Sequence, residues 1–394
     1  MWRHLFWMIP LAIFVGVGVA LLQRGGGQGD NGPVAAQTPP RLTNAPPVQM
    51  VTNQAREDLP MGQGGLSGTN AAVNWRRAQG VTYRTNLVRN TATNPPIVLP
   101  RTNTPSAFVP RTVKTDLELQ LALDRRGYSP GSIDGVSGPQ TRAAIQAFQQ
   151  QERLPLSGQM DDATRGRLLL RGPVWTEYVM TAQDLAGIQP LGKTWTEKSR
   201  QNRLGHESAL EWLAERFHCS PRFLRRNNPR VDWNRVTEGQ VVKVPNVALT
   251  PLTGEAALVH IQLRARSLRV YDSSTNLVAH FPCSIATHVA ARPVGELQIV
   301  MVVPRPNYTF DPARFPGTPE AQNGDGKLVL SPGPNNPVGT VWLGLDRPGY
   351  GIHGTPDPEK VGRTTSLGCF RLANWNAERL LRVVQKGTRV LVEP

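Results

Sequence analysis

The stretch "ALVHIQLRARSLRVYD" (residues 257–272) alternates apolar and polar side chains with the period of two that a half-buried β-strand requires. "LVAHFPCSIA" (277–286), "GELQIVMVV" (295–303), "GTVWLGL" (339–345) and "TRVLVE" (388–393) continue that texture, separated by glycine and proline turns. One convincing helix interrupts it: "WNAERLLRVVQKG" (375–387), with Asn374 near its start and Gly387 just past its end. Residues 254–394 are therefore expected to form a mostly β domain with one helix packed late in the chain.

Within that domain, "YGIHGTPDPEKVGRTTSLGCFRLANW" (350–375) holds one histidine and one cysteine among glycine, proline, serine and threonine. A catalytic cysteine attacks as a thiolate, so it needs a group that lowers its pKa and takes its proton. His353 is the histidine at hand: it ends a short apolar run, and Gly354 lets the chain turn behind it. Gly368 lets the backbone approach a substrate, and the amides of Gly368 and Cys369 are placed to form an oxyanion hole. On a strand, Arg371 points to the same side as Cys369, where it would hold a substrate carboxylate or favour the thiolate. The competing reading is an inert buried thiol beside an ordinary loop, and a titratable, low-pKa Cys369 would separate the two.

The rest of the chain sets the context. Its 394 residues, 39% hydrophobic and 19% charged, suit two or three modest domains rather than one continuous core. The excess of 44 Lys+Arg over 29 Asp+Glu, a net charge of +15, favours a polyanionic neighbourhood or simply gives a basic solvated surface. No basic helix or nucleic-acid motif accompanies it, which argues against a nucleic-acid partner. "LFWMIPLAIFVGVGVALL" (5–22) is uncharged and about long enough to span a bilayer, so residues 1–24 are read as a signal anchor or signal peptide. The following "LLQRGGG" lacks the small residues of a cleavage site at the expected spacing, which favours an uncleaved anchor. Arg3 and Arg24 flank the run on either side, so its orientation signal is weak, and it is the downstream domains that lead to an expected location in the cell envelope, facing the periplasm or wall. Residues 25–112, rich in glycine, proline, asparagine, threonine and glutamine, should be a disordered tether. Three cysteines are too few and too scattered for a disulfide scaffold; Cys219 and Cys283 read as buried thiols and Cys369 as free. No CxxC or HxxxH spacing exists, so neither metal nor cofactor is expected.

Order is expected to begin near Thr115. "TDLELQLALDRRGY" (115–128) puts Leu117, Leu121 and Ala122 on one helical face, "SGPQTRAAIQAFQQQERL" (137–154) does the same with Ala144, Ile145 and Phe148, and "SGQMDDATRGRLLL" (157–170) opens a third helix with Asp161 as N-cap. The run 123–168 resembles the peptidoglycan-binding domain of the PG_binding_1 type through Gly127, Asp134, Gly135, Gly138, Thr141, Phe148, Gln149, Gly158 and Thr164. That resemblance implies a three-helix domain over 113–172 and peptidoglycan as ligand. Residues 207–247 read helix, turn, helix, loop, strand, with Leu210, Leu213, Ala214 and Phe217 on one face. With Asn228, Pro229, Gly239, Val244 and Pro245, residues 176–248 resemble a small α+β LysM module. The extra stretch "AGIQPLGKTWTEKSRQNRLG" (186–205) departs from the compact form and leaves both a glycan binder and a structural spacer open.

The order and spacing of 350–392, a His-Gly-Thr followed after a variable loop by Ser-x-Gly-Cys-x-Arg, resemble the L,D-transpeptidase (YkuD) family. "ARPVGELQI" (291–299) and "NNPVGTVWLGL" (335–345) are similar to that family's upstream strands. The resemblance implies a multidomain α+β protein whose Cys369 is the acylated nucleophile, His353 the general base and Arg371 a substrate-orienting residue. Ser366 and Gly368 would shape the cysteine turn, and either Thr355 or a backbone carbonyl would orient His353. It also implies a stem-tetrapeptide donor, an amine acceptor, a thioester intermediate, 3→3 cross-links and acylation by carbapenems. Leu367 stands where many members carry a second histidine. The alternatives are therefore an L,D-carboxypeptidase-like hydrolase or a weak or inactive wall-binding tether. A monomer is expected.

Overall fold

The computed structural model describes residues 108–247, 251–364 and 368–394. The apolar segment 5–22, nearly all of the expected tether, Ser366 and Leu367 lie outside the described residues. Among the described residues no helix is long and apolar enough to cross a membrane.

The first folded unit starts within the last residues read as tether: strand β1 (Arg111–Thr112) pairs antiparallel with β2 (Leu169–Leu170). Between them run α1 (Asp116–Arg125), α2 (Pro139–Gln151) and α3 (Asp162–Arg167). Thr115, one residue before Asp116, caps α1 by accepting from Glu118 N, and Asp161 caps α3 by accepting from Thr164 N. Leu119, Leu123, Ala144, Ile145 and Phe148 bury the facing stripes of α1 and α2. Gln149 is fully buried yet satisfied, donating to Ser157 Oγ, Gln159 O and Thr164 Oγ1.

The second unit holds β3 (Trp175–Val179), α4 (Ala182–Ala186), α5 (Trp195–Ser199), α6 (Ala209–Arg216), α7 (Pro221–Asn227) and β4 (Val241–Pro245). β3 and β4 pair antiparallel, and the α6 face of Leu210, Leu213 and Ala214 is buried with Phe217, Cys219 and Phe223. Asn228 ties the end of α7 to β4, donating to Lys243 O and accepting from Lys243 N, both at 2.8 Å.

In the third unit β5 (Leu258–Gln262), β6 (Ser267–Tyr271), β7 (Leu277–Pro282) and β8 (Gly295–Pro304) are followed by a small hairpin, β9 (Tyr308–Phe310) with β10 (Leu328–Leu330). Then come β11 (Val341–Leu345), β12 (Gly351–His353), β13 (Phe370–Arg371) and β14 (Arg389–Glu393). Eight of these strands form one sheet in the order β13-β12-β11-β8-β14-β5-β6-β7. Among the described residues of this sheet, β12–β13 and β14–β5 pair parallel and the other neighbouring strands antiparallel. Short helix α8 (Pro319–Gln322) lies inside the β9–β10 connection. α9 (Asn374–Leu381) is the late helix; it stops well before Gly387, whose φ of +90° instead serves the turn into β14. Val259, Ile261, Leu268, Val270, Ala279, Phe281, Val390 and Val392 fill one sheet face against Ala377, Leu380 and Val383.

The upstream units pack onto this sheet. Gly127 and Ser129 hydrogen-bond His280 of edge strand β7, which covers an otherwise open edge. Asp124 of α1, His218 after α6 and Arg379 of α9 meet in a buried cluster: Arg379 donates to both Asp124 oxygens at 2.9 and 3.0 Å, and His218 Nδ1 lies 3.1 Å from Oδ2. Burial opposes the Asp124 charge, but Arg379 and His218 outweigh it and hold the carboxyl well below the usual range. Burial pulls the His218 pKa down against the opposing pull of Asp124, and its Nδ1–H donates to the Asp124 carboxylate. The extra stretch 186–205 also has a clear structural role. Trp195 stacks on Phe310 with ring centroids 4.4 Å apart, Leu204 is buried with Phe310 and Leu330, and Glu320 Oε1 accepts from Trp195 N.

Candidate active site

β12 and β13 set the site. Their parallel register places Ile352 beside Phe370 and His353 beside Arg371, with Trp342 of β11 opposite His353 on the other side. Cys369 precedes β13, so it comes alongside Gly351, whose amide acts on the sulfur as a donor, and its S–H donates to Gly349 O at 3.5 Å. Alternation along β12 and the chain entering β13 puts Gly351 and His353 on one side with Cys369 and Arg371.

His353 is 4% exposed and stacks on Trp342 at 5.6 Å. Its Nδ1 lies 2.6 Å from Gly354 O, so Nδ1–H donates there and Nε2 is left with the lone pair a base requires. The backbone carbonyl therefore orients the ring; Thr355 does not. The Thr355 amide donates to Asn374 Oδ1 at 3.0 Å and its hydroxyl accepts from Asp357 N at 3.3 Å. Burial, then the Arg371 charge, pull the His353 pKa down to about 4, with the Gly354 bond opposing.

Cys369 is partly exposed, and desolvation of its sulfur pushes the pKa up to about 11 against the Gly351 amide and Arg371. Burial thus moves the Cys369 thiol away from the low pKa expected of a catalytic cysteine. At neutral pH these shifts leave Cys369 a thiol and His353 a neutral imidazole, on the same side of neighbouring strands. Cys219 and Cys283 are free and buried, and burial raises both thiols, which makes them inert.

Arg371 is fixed through its backbone, exchanging hydrogen bonds with Ser284 at 2.9 and 3.0 Å. Its Nε is buried without a protein partner, and its side chain borders a small cleft with Ser284, Thr355, Asp357, Lys360 and Thr364. Such a donor suits an incoming carboxylate. Gly368 is half-buried, and a Cβ there would meet the Tyr350 ring at an ordinary 3.5 Å, so protein packing alone does not demand glycine. Ser366 lies outside the described residues.

Two residues of the site escaped the sequence reading. Tyr308, on the β9–β10 hairpin, is close enough to Cys369 and Arg371 for their charges to act on its phenol, whose pKa is raised mainly by burial. No local motif marks it, because a long connection brings it in. Asn374, legible only as a residue near a helix start, fastens the histidine turn: Oδ1 accepts from Thr340 N at 3.2 Å and Thr355 N at 3.0 Å. At Gly354 an added Cβ would collide with Asn374 Oδ1. Gly354→Ala is therefore expected to cost about 1–3 kcal/mol by overpacking and to displace the carbonyl that holds His353. Thermal melts compared with the reactivity of Cys369 check both effects.

This arrangement can carry acyl transfer, and comparison with known proteins points the same way. The family profile described as "L,D-transpeptidase catalytic domain" (YkuD) matches residues 256–392, and that described as "Putative peptidoglycan binding domain" (PG_binding_1) matches 116–168. "Putative L,D-transpeptidase YkuD" of Bacillus licheniformis is 29% identical over 185 residues, 47% of this chain and 93% of that protein. "Putative L,D-transpeptidase in ATP synthase subunits region ORF 5" of Fuscovulum blasticum is 32% identical over 128 residues, 32% of this chain and 65% of that one. Among solved structures, L,D-transpeptidase 3 from Mycobacterium tuberculosis aligns at 15% identity over 41% of this chain and 77% of its own, with a TM-score of 0.29, too low for the likeness to carry weight. The profile matches instead fall on the segments that hold Cys369 and His353 and on the upstream three-helix unit: residues 256–392 match the L,D-transpeptidase catalytic domain of the YkuD type, and residues 116–168 match the peptidoglycan-binding domain of the PG_binding_1 type.

Proposed function

We propose that the protein is a cysteine-dependent L,D-transpeptidase that joins peptidoglycan stem peptides through a thioester on Cys369. The supporting observation is His353 locked by Gly354 O with Nε2 as its free base, on the strand beside Cys369, inside the matched domain. In the first half-reaction the Cys369 sulfur attacks the carbonyl at the L-centre of the diamino acid in a stem tetrapeptide while Nε2 takes the thiol proton. Backbone amides at Gly368 and Cys369 hold the oxyanion, and Arg371 orients a substrate carboxylate. The tetrahedral adduct collapses with cleavage of the bond to D-alanine, whose nitrogen receives the proton from His353. In the second half-reaction the side-chain amine of another stem opens the thioester, its proton passes through His353, and the thiol is regenerated with a 3→3 cross-link formed.

The peptidoglycan-binding domain, and residues 176–248 if they engage glycan, would raise the local concentration of wall substrate. The apolar segment 5–22 and the net charge of +15 support an exported, membrane-held protein working in the envelope.

Incubating the full chain with disaccharide tetrapeptide and separating the products tests this reading. Release of D-alanine with dimeric muropeptides, both abolished in Cys369→Ala, is the expected result. D-alanine release without dimers would make it a hydrolase, and sacculus binding with no product at all would make it a tether.

A further inference from the structure

The turn that holds His353 is braced from outside the catalytic domain. Asn374 is fully buried, and its side-chain amide has one usable orientation. Thr340 N and Thr355 N both need an acceptor, so they take Oδ1; Pro334 O needs a donor, so it takes Nδ2 at 3.1 Å. The remaining donor capacity of Nδ2 goes to the Glu215 carboxylate, at 3.1 Å from Oε1 and 3.3 Å from Oε2. Glu215 stands on α6, in the unit upstream of the catalytic domain, with His206 Nε2 3.6 Å away. A charge-assisted bond from one side thereby selects which face of the amide meets the other. That choice fixes the Gly354–Thr355 peptide, and Gly354 O fixes the His353 ring.

We propose that Glu215 is a positioning residue for the His353 base, acting through Asn374, so that the upstream unit completes the active site rather than merely delivering it to the wall. The inference rests on the transpeptidase reading above. Without Glu215 the Asn374 amide loses its charged anchor, the Thr355 turn loosens and Nε2 drifts from the cysteine. Small displacements of a catalytic group weaken rate far more than binding.

The test measures kcat and KM for disaccharide tetrapeptide turnover with the full chain and three variants. Glu215→Ala is expected to lower kcat about tenfold at unchanged KM, and Glu215→Gln, which keeps an acceptor for Nδ2, to retain most of the rate. Asn376→Ala serves as the structural control: it removes a bond from the same helix to Ser129 Oγ, at 3.0 Å, without touching the histidine turn. It should lower the melting temperature while keeping kcat. Wild-type kcat in Glu215→Ala, or an equal fall in Asn376→Ala, would overturn the inference and leave the transpeptidase reading standing. A wild-type chain without turnover would overturn both.

Discussion

His353→Ala is expected to slow acylation of Cys369 by about 10²–10⁴-fold, the usual worth of a positioned general base. Because Cys369 is raised to about 11 and His353 lowered to about 4, the resting site holds the neutral pair. Proton transfer must then accompany attack. A histidine with a depressed pKa is already unprotonated well below its ordinary range, so the acid limb of the wild-type rate should fall near pH 4 rather than near pH 6.5. In His353→Ala that limb disappears and the residual rate climbs with thiolate formation towards the Cys369 pKa. Stopped-flow acylation by a carbapenem across pH reads both. A limb near the ordinary histidine pKa, or thiolate absorbance at neutral pH in the free protein, would show a preformed ion pair instead.

The second large effect is on folding. Arg379→Met leaves the Asp124 carboxylate buried without its guanidinium, and such losses cost about 3–5 kcal/mol. Asp124 lies on α1 of the upstream three-helix unit and Arg379 on α9, so the variant should unfold at lower denaturant and loosen the junction between the units. The pair also fixes a pH dependence. The Asp124 pKa is depressed, so its contribution is complete above the unfolded carboxylate value and is lost as pH falls below it. Wild-type stability should therefore drop in acid more steeply than that of Asp124→Asn/Arg379→Met, in which neither charge remains. Denaturant melts at neutral and acid pH check the difference.

How much of this was legible in the sequence depended on the range of the contacts. The alternation of Val259 and Ile261, the α2 stripe of Ala144, Ile145 and Phe148, and the Asp161 cap are local signals, and the chain forms the corresponding elements. The pairing of His353 with Arg371 is a register between strands separated by a loop; the motif named both residues, and only the parallel ladder made them neighbours. The Cys369 pKa was not legible, because desolvation depends on everything packed around the sulfur. Nor were Tyr308, Glu215 or the Asp124–Arg379 pair. Each acts on residues distant in the sequence, where residue type carries no mark of its partner. The stretch 186–205 looked like a departure from a compact module; its Trp195 and Leu204 turn out to pack against the hairpin that carries Tyr308.

The central claim is that Cys369 becomes acylated by peptidoglycan stem peptide. Intact-mass measurement of the full chain mixed with disaccharide tetrapeptide, followed by peptide mapping, tests it most directly. The account predicts an adduct equal to the donor minus D-alanine, located on Cys369, discharged by an added amine and absent from Cys369→Ala. An unmodified Cys369 in a chain that still binds sacculi, or an adduct that persists in Cys369→Ala, would contradict it.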